Sequence, residues 1–324
     1  MDRSRPDLLN QPCRNILSID VRVAHTSERL VLRHMMELYQ HDFLTIILKL
    51  MTKLALPALV ATALLLATAS GHAAPPAGQD ALAGPKIKVD VGGRKLNMYC
   101  VGKGSPTVLF EADIGRAGWD WSAVLPEVAK RTRACVYDRA GLGSSDPIIR
   151  ASTVANASKD LNFLIKNARL EAPFVMVGAG YGAMVAQHFA LRSRNAAVTG
   201  LVLVQPMHEN ALPADRAAQL DDALACLGSI EQGKADATCV YPTTTINGEI
   251  GPALAAAQTA QAAKPAYWRA RASEWDSLET SANQLRTARK PFGEIKVVDV
   301  KEGQPAAIID AVIGVLDAPG AIRQ

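Results

Sequence analysis

The chain has 324 residues, of which 49% are hydrophobic and 20% charged, a balance typical of one large globular α/β domain or two small ones. Its formal net charge is only +4, and no Lys/Arg-rich stretch contains interleaved aromatic residues. Because nucleic-acid binding requires such a basic surface, we expect no nucleic-acid partner.

The strongest compositional signal lies at residues 51–73. A short basic start precedes residues 54–69, which carry no charge, and small residues follow, with Gly71 and Ala73 three and one positions before a cleavage point. This order predicts a secretory signal peptide and a secreted or periplasmic protein without a stable membrane span. The alternative is an uncleaved membrane anchor, although the apolar run is short for a span and Pro57 interrupts it.

The segments on either side of this signal are not predicted to be part of the folded domain. Residues 1–50 mix charges with two short apolar runs and contain no turn signals, so we expect a non-native or disordered extension, created by a start codon assigned too far upstream. The alternative is a cytoplasmic extension of a membrane-anchored protein. Residues 74–86 are rich in Pro, Gly and Ala and are typical of a flexible leader.

From residue 87 onwards, strand and helix patterns alternate. The predicted strands are 87–91 and 96–101, which form a hairpin around Gly92 and Gly93, then 107–111, 134–137, 174–177, 201–204 and 295–300. The predicted helices are 121–131, with Asp120 as its N-cap, then 153–168, 182–191 and 306–316. Because the inner strands are almost continuous apolar runs, this order predicts an α/β fold with a mostly parallel sheet flanked by helices.

Between residues 211 and 290 the strand patterns stop. Ala-rich helical segments follow, broken by Pro242, Pro252 and Pro265. This change predicts a helical insertion within a domain that spans residues 87–324, and not another strand–helix unit.

Cysteine usage agrees with export. Four of the five cysteines follow the signal, an even number that permits disulfide bonds in an oxidising compartment. We predict that Cys226 and Cys239 pair, because they are close in sequence in a helical, loop-rich segment. Cys100 and Cys135 fall in two strands and form either a second bridge or two buried thiols. None of the four has the CxxC spacing of a metal site, and we expect no metal or cofactor.

Two stretches resemble the α/β-hydrolase family, in particular its esterases and lipases. Residues 135–146, CVYDRAGLGSSD, are similar to the signature that follows strand 4 in that family, where Asp138 and Arg139 would brace a tight turn. Residues 174–184, FVMVGAGYGAM, are similar to its nucleophile elbow, in which a strand, a G-x-S-x-G sequence and a helix follow one another. The resemblance covers about residues 87–320 and implies the α/β-hydrolase fold, with the helical insertion as its cap.

The same resemblance implies that the family's catalytic residues are missing. Gly180 stands where the family has its serine, and no histidine follows His208, although the family's base comes after the last strand. The family often carries its acid at the exit of strand 6, where this chain has Gln205, and only one strand is predicted between the cap and the last helix, where the family usually has two. Together these losses imply a catalytically inactive relative, a pseudo-hydrolase.

The oxyanion loop departs from the family pattern as well. By resemblance, the backbone N–H groups of Ile114 and Tyr181 are the oxyanion donors, and they could still bind a polar ligand atom. Asp113 replaces a small residue beside them, and its carboxylate would repel a developing oxyanion. The other side chains considered near the site are Asp138 and His208, and none of these residues is assigned a catalytic role.

Residues 178–183, GAGYGA, also match a relaxed dinucleotide-binding sequence. We interpret this match as accidental, because an elbow needs glycines anyway and the sequence follows several strands instead of opening the first strand–helix unit. His208 and Glu209 are interpreted as a structural hydrogen-bonding pair, since two adjacent residues are too few for a metal site.

The function expected from the sequence is that of an exported pseudo-hydrolase whose capped pocket binds a small apolar or acyl ligand. One alternative is an active carboxylic-ester hydrolase with a non-standard nucleophile. The other is a protein that binds a partner through the surface of its cap.

Overall fold

The computed structural model describes residues 79–318, except for 193–196, 235 and 247. The predicted N-terminal extension at 1–50, the predicted signal peptide at 51–73 and the first residues of the predicted leader lie outside these described residues.

Seven strands in the described part of the chain form one mixed sheet. They are β1 (Ile87–Asp90), β2 (Lys95–Val101), β3 (Thr107–Glu111), β4 (Ala134–Tyr137), β5 (Phe174–Ala179), β6 (Val198–Val204) and β7 (Lys296–Val300). Their order across the sheet is β1-β2-β4-β3-β5-β6-β7, in which β2 is antiparallel to β1 and β4 and every other pair is parallel. The predicted mostly parallel sheet is therefore confirmed.

Helices cover both faces of this sheet. They are α1 (Leu125–Ala129), α2 (Val154–Asn167), α3 (Tyr181–Arg192), α4 (Arg216–Glu231), α5 (Pro252–Ala262), α6 (Pro265–Asp276), α7 (Leu278–Ala288) and α8 (Pro305–Leu316), with two 3-10 turns at Gln79–Leu82 and Gly118–Trp121. Along β3, Val108 and Phe110 join the core on one face and Leu109 joins the core on the other. The strand is an unbroken apolar run because successive side chains point to opposite, equally buried faces.

The helix predicted at 121–131 is confirmed only in part, and Asp120 is not its N-cap. The chain instead forms the 3-10 turn Gly118–Trp121 and then the short helix α1, which has a proline in its first turn. Asp120 caps nothing, because its carboxylate is buried and paired with the guanidinium of Arg116. Residue type alone does not distinguish a capping aspartate from one that pairs with an arginine four residues earlier.

The predicted helical insertion contains α4, α5, α6 and α7. Pro252 and Pro265 lie in the first turns of α5 and α6, where a proline is tolerated because its missing N–H would have no partner within the helix. They therefore mark where helices begin and do not interrupt a continuous one.

The described part of the chain contains two disulfide bonds. Cys226 of α4 is bonded to Cys239 in the cap, and Cys100 of β2 is bonded to Cys135 of the neighbouring strand β4. Both bridges fit an oxidising compartment. Within the residues that the structure describes, no helix is long and apolar enough to cross a lipid bilayer.

Candidate functional site

The candidate site lies where the parallel strands β3 and β5 end side by side. Glu111 of β3 pairs with Gly178 of β5, so the loop after β3 runs directly beside Gly180. Ligand sites in α/β sheets form at this carboxyl edge. Here it borders a cavity of about 230 Å³. The cavity is lined by Ala112, Asp113, Ile114, Arg116, Asp120, Trp121, Ala179, Gly180, Gln205, Met207, Pro242, Thr243, Thr244, Ile246, Arg271 and Trp275.

The turn from β5 into α3 has the tight geometry of an elbow. Gly180 adopts a φ of +50°, in the left-handed region that favours glycine. A Cβ on Gly178 would lie less than 3.0 Å from the backbone oxygen of Gly182, and a Cβ on Gly182 would lie equally close to that of Ala112. Steric contacts therefore require the two outer glycines, whatever residue stands between them.

The carboxylate of Asp113 fills the space above Gly180. A Cβ built on Gly180 would lie less than 3.0 Å from Cγ and both carboxylate oxygens of Asp113. The backbone N–H groups of Ile114 and Tyr181 both donate to Oδ1 of Asp113, each at 2.7 Å. The sequence analysis proposed that these two N–H groups could bind a ligand atom, but in the structure both already donate to the side chain of Asp113. The structure brings Asp113, Ile114, Gly180 and Tyr181 together in one cluster.

Arg139 and Glu274 hold the loop that carries Asp113. The guanidinium of Arg139 donates to the backbone oxygens of Ala112 and Asp113 at 2.6 and 2.7 Å, and it pairs with the carboxylate of Glu274 at 2.7 Å. Glu274, in the cap helix α6, also accepts a hydrogen bond from the backbone N–H of Gly115 at 2.7 Å. Both side chains are buried, so the cap and the sheet fix the position of Asp113 jointly.

Glu111 adds a second carboxylate to this buried group. It lies 3.4 Å from the Arg139 guanidinium and accepts a hydrogen bond from the hydroxyl of Tyr137. Burial raises the pKa of Glu111 to about 7, although the nearby Arg139 acts in the opposite direction. The sequence had drawn attention to Arg139 but not to Glu274, which occurs in an Ala-rich helical segment without any motif.

Asp138 braces the turn after β4 and does not line the cavity. Its Oδ1 accepts the N–H of Gly118 at 2.8 Å, and its Oδ2 accepts the side chain of Asn97 and the N–H of Ser144, each at 2.9 Å. A Cβ on Gly143 would lie less than 3.0 Å from this carboxylate, and Gly143 has a φ of +53°. The geometry therefore gives Asp138 a structural role at a turn that needs glycine.

His208 and Glu209 do not form a reactive pair. His208 is exposed, forms an isolated bridge with Ala211 and is absent from the lining of the cavity. The buried Glu209 pairs with the guanidinium of Arg289, whose Nε donates to it at 2.9 Å, and Arg289 also donates to Gln187 at 3.0 Å. This ion pair connects Arg289, the residue after α7, to the segment that follows β6.

No carboxylate occupies the place where the family often carries its acid. Gln205, at the end of β6, lines the cavity with a φ of +43°, an uncommon conformation for a residue other than glycine. Asp299 of β7 and Asp310 of α8 are exposed and lie outside the lining. The described chain has a single strand, β7, between the cap and the last helix.

His188 belongs to α3 and faces α2, away from the cavity. Its Nδ1 is 2.9 Å from Oγ of Ser158, and both side chains are buried. Burial lowers the pKa of His188 to about 4, and the charge of Arg192 acts in the same direction. A neutral, buried imidazole in this position is part of the packing between two helices.

The depressed pKa of His188 predicts that acid destabilises the fold. The unfolded chain takes up a proton near pH 6.5 and the folded chain only near pH 4, so stability present above pH 6.5 is lost as the pH falls towards 4. Allowing for solvent screening, we expect the wild type to lose about 1–2 kcal/mol more than a His188→Gln variant between pH 7 and pH 4.5. Urea unfolding of both proteins at the two pH values measures this difference, and equal losses would contradict the assignment.

The described residues contain no group of three or more His, Cys, Asp or Glu side chains arranged to hold a metal ion. What the cavity does contain is a carboxylate held by two backbone N–H groups, an ion pair between Arg116 and Asp120, and several further polar side chains. This arrangement can bind a polar molecule. It lacks an imidazole that could take a proton from a nucleophile.

Comparisons with known proteins agree with this fold. The sequence model described as "Alpha/beta hydrolase family" matches residues 108–311, which are 204 of the 324 residues. The chain is 29% identical over 105 residues to an uncharacterized protein, YqjL, of Bacillus subtilis strain 168, a match that covers 32% of this chain and 41% of that protein. It is 32% identical over 114 residues to an uncharacterized vacuolar membrane protein of Saccharomyces cerevisiae strain YJM789, covering 34% of this chain and 18% of that protein. The chain thus spans well under half the length of these curated relatives.

Solved structures show the same architecture. The epoxide hydrolase CorEH without ligand superposes with a TM-score of 0.56 at 16% identity, over 71% of this chain and 97% of that one. Cfl2 from Burkholderia cenocepacia superposes with a TM-score of 0.57 at 17% identity, over 70% and 94% of the two chains. At such low identities the likeness establishes the fold alone. Because the family model matches more than half of the residues and the sheet agrees with it, this chain belongs to the alpha/beta hydrolase family.

Proposed function

We propose that the protein is a non-hydrolytic member of its family, a pseudo-hydrolase that binds a small molecule in the cavity above Gly180. One observation carries this proposal: the carboxylate of Asp113 occupies the space above the elbow and takes both backbone N–H groups that would stabilise an oxyanion. Acyl transfer by the family's mechanism needs a side-chain nucleophile at the elbow and free donors beside it.

The missing base supports the same proposal. His188 and His208 are the two histidines of the described residues, and neither lines the cavity. His188 is engaged with Ser158 between two helices, and His208 is exposed. A serine introduced at the elbow would therefore have no imidazole to accept its proton.

We also propose that the protein is exported, as the predicted signal peptide implies. The two disulfide bonds are compatible with an oxidising compartment and support this part of the proposal. Export would place the cavity in contact with molecules outside the cytoplasm.

Treatment with a fluorophosphonate probe and with short p-nitrophenyl esters tests the proposal. We expect no covalent labelling and no ester hydrolysis above the buffer rate, because neither a serine nor a histidine lines the cavity. A family member with an intact serine provides the positive control. Determining the N-terminus of the same preparation checks cleavage after residue 73. Probe labelling, or ester turnover well above the buffer rate, would refute the pseudo-hydrolase.

Asp113 itself favours a second candidate function, ester hydrolysis by a non-standard nucleophile. With Oδ1 held by two N–H groups, Oδ2 could attack the carbonyl carbon of a p-nitrophenyl ester, which breaks the C–O bond, expels p-nitrophenolate and forms an acyl anhydride. Addition of water to the anhydride would then release the acid and restore the Asp113 carboxylate, with the two protons released to solvent. In that case the ester assay would show turnover in the wild type and none in Asp113→Asn. Mass spectrometry of the intact protein after mixing would reveal the acyl adduct.

A further inference from the structure

A groove on the outside of α2 and α3 is separate from the cavity above Gly180, because no residue lines both. Its volume is about 610 Å³. Six of its residues belong to α2 and recur at spacings of three and four positions: Ala155, Ser158, Lys159, Asn162, Phe163 and Lys166. Such spacings place side chains on one stripe of a helix, and at 1.5 Å per residue this stripe is about 16 Å long. The groove is therefore elongated along α2.

Apolar side chains supply much of the surface of this groove. Leu170 and Phe174 are buried in the core beneath it, and Ile165 packs against the same core. Phe163 is 36% exposed and is one of six large hydrophobic side chains that are exposed in the described residues. Covering this ring removes apolar surface from water, which is favourable. An exposed apolar strip bordered by polar residues is typical of a binding surface.

The charged side chains that line the groove are all cationic. Lys159, Lys166 and Arg192 are exposed, and none of them makes an ion pair or a side-chain hydrogen bond within the described residues. The described lining includes no aspartate or glutamate, since Glu171 lies outside it and the buried Asp160 pairs with arginine side chains elsewhere. The groove therefore attracts anions and repels cations.

One buried polar side chain also lines the groove. His188 of α3 is 7% exposed, its Nδ1 contacts Oγ of Ser158, and its Nε2 has no hydrogen-bond partner among the described residues. Nε2 is not among the fully enclosed polar atoms that lack partners, so it keeps accessible surface. In the tautomer whose Nδ1 accepts the Ser158 hydroxyl, Nε2 carries the hydrogen and can donate it to an anionic head group.

We propose that this groove binds a single-chain fatty acid. The alkyl chain lies along α2 over Phe163 and the aliphatic stems of the lysines, and the carboxylate pairs with the cations at the rim. The hydrocarbon core of a bilayer is about 30 Å thick, so one layer of acyl chains is about 15 Å, close to the length of the α2 stripe. The site goes beyond the proposed function, because it shares no residue with the cavity above Gly180.

Isothermal titration calorimetry of the purified protein tests the proposal with three probes below their micellar concentrations: dodecanoate, dodecyltrimethylammonium and acetate. Dodecanoate should bind with a dissociation constant of about 1 mM or tighter. Dodecyltrimethylammonium has the same chain with the opposite charge and should bind at least about tenfold more weakly. Acetate lacks the chain and should not bind detectably. Absence of dodecanoate binding, or equal binding of the two amphiphiles, overturns the inference.

Two charge-reversed variants show whether the anion binds in this groove. In Lys159→Glu/Lys166→Glu the affinity for dodecanoate should fall at least about tenfold, because two attractive charges become repulsive. The matched control is Lys103→Glu/Lys301→Glu, which changes the net charge equally at two exposed lysines outside the groove and should bind like the wild type. Equal affinities in the two variants would place the binding elsewhere and overturn the proposed site.

Phe163→Ser tests the apolar part of the groove. The affinity for dodecanoate should fall about three- to tenfold, because the chain loses the surface of the ring. Leu224→Ser is the control, since Leu224 is also exposed but lies in α4 and outside the groove, and it should bind like the wild type. Circular dichroism melting checks that every variant folds, and if the double lysine variant does not, this pair decides. An unchanged affinity in Phe163→Ser would contradict the proposal.

The same charges could attract a membrane surface, and co-sedimentation with phosphatidylglycerol vesicles separates that case. If the protein binds these vesicles but not dissolved dodecanoate, and Lys159→Glu/Lys166→Glu abolishes the binding, the groove docks on a membrane and the fatty-acid site is wrong. Failure of this inference leaves the non-hydrolytic function untouched, because ester turnover alone decides the latter.

Discussion

Gly180→Ser should destabilise the fold by about 2–4 kcal/mol and should not create an esterase. The new Cβ would lie less than 3.0 Å from the carboxylate of Asp113. The serine would also have to keep a φ of +50°, which residues other than glycine rarely adopt. Activity should stay at the buffer rate because no histidine lines the cavity to accept the serine proton. Urea unfolding and a p-nitrophenyl acetate assay measure the two effects.

Two controls isolate the contact with Asp113. Gly314→Ser places the same side chain in α8, where no atom lies within 4 Å of the built Cβ, and it should change stability by less than about 0.5 kcal/mol. The double variant Asp113→Gly/Gly180→Ser should be about 1–2 kcal/mol more stable than Gly180→Ser alone, because the clash is gone. If the loss of stability in the double variant equals the sum of the losses in Asp113→Gly and Gly180→Ser, the carboxylate does not occupy this space.

Arg139→Met should lower stability by about 3–5 kcal/mol, the range typical of breaking a buried ion pair from one side. The substitution leaves Glu111 and Glu274 buried without their shared guanidinium and removes both bonds to the backbone of the Asp113 loop. For a domain of this size we expect the melting temperature to fall by about 6–20 °C. Differential scanning calorimetry measures the shift.

The matched control for this change is Arg131→Met. Arg131 pairs with Asp317 on the surface, with about half of its side chain exposed, and its loss should cost no more than about 0.5 kcal/mol.

The pH dependence of the stability lost in Arg139→Met provides a further check. Because Glu111 has a pKa of about 7, it is largely protonated below that pH and then needs no counter-charge. The deficit of Arg139→Met should therefore be smaller at pH 6 than at pH 8, and an equal deficit at both would argue against this account.

The regular elements were predictable from the sequence because their signals are local. Buried strands such as β5 are short apolar runs, and Thr153 marks the start of α2 by accepting the N–H of Asn156. The helix predicted at 121–131 is shorter than expected and begins later, at Leu125. Asp120 looks like an N-cap by residue type, but its carboxylate pairs with Arg116, four residues earlier, and accepts a hydrogen bond from the hydroxyl of Tyr241 in the cap. The contact with Tyr241 spans 121 positions and has no local sequence signal.

The sequence by itself determined the fold class and placed Gly180 at the turn between β5 and α3, because residue identity and short-range spacing are enough for these. Only the tertiary structure decided what occupies the elbow. Asp113 reaches the N–H of Tyr181 across 68 positions, and Arg139 meets Glu274 across 135. Such contacts depend on which strands are neighbours and on where the cap helix packs, and no local pattern encodes either. Gly180, which has no side chain, leaves the space that the Asp113 carboxylate fills.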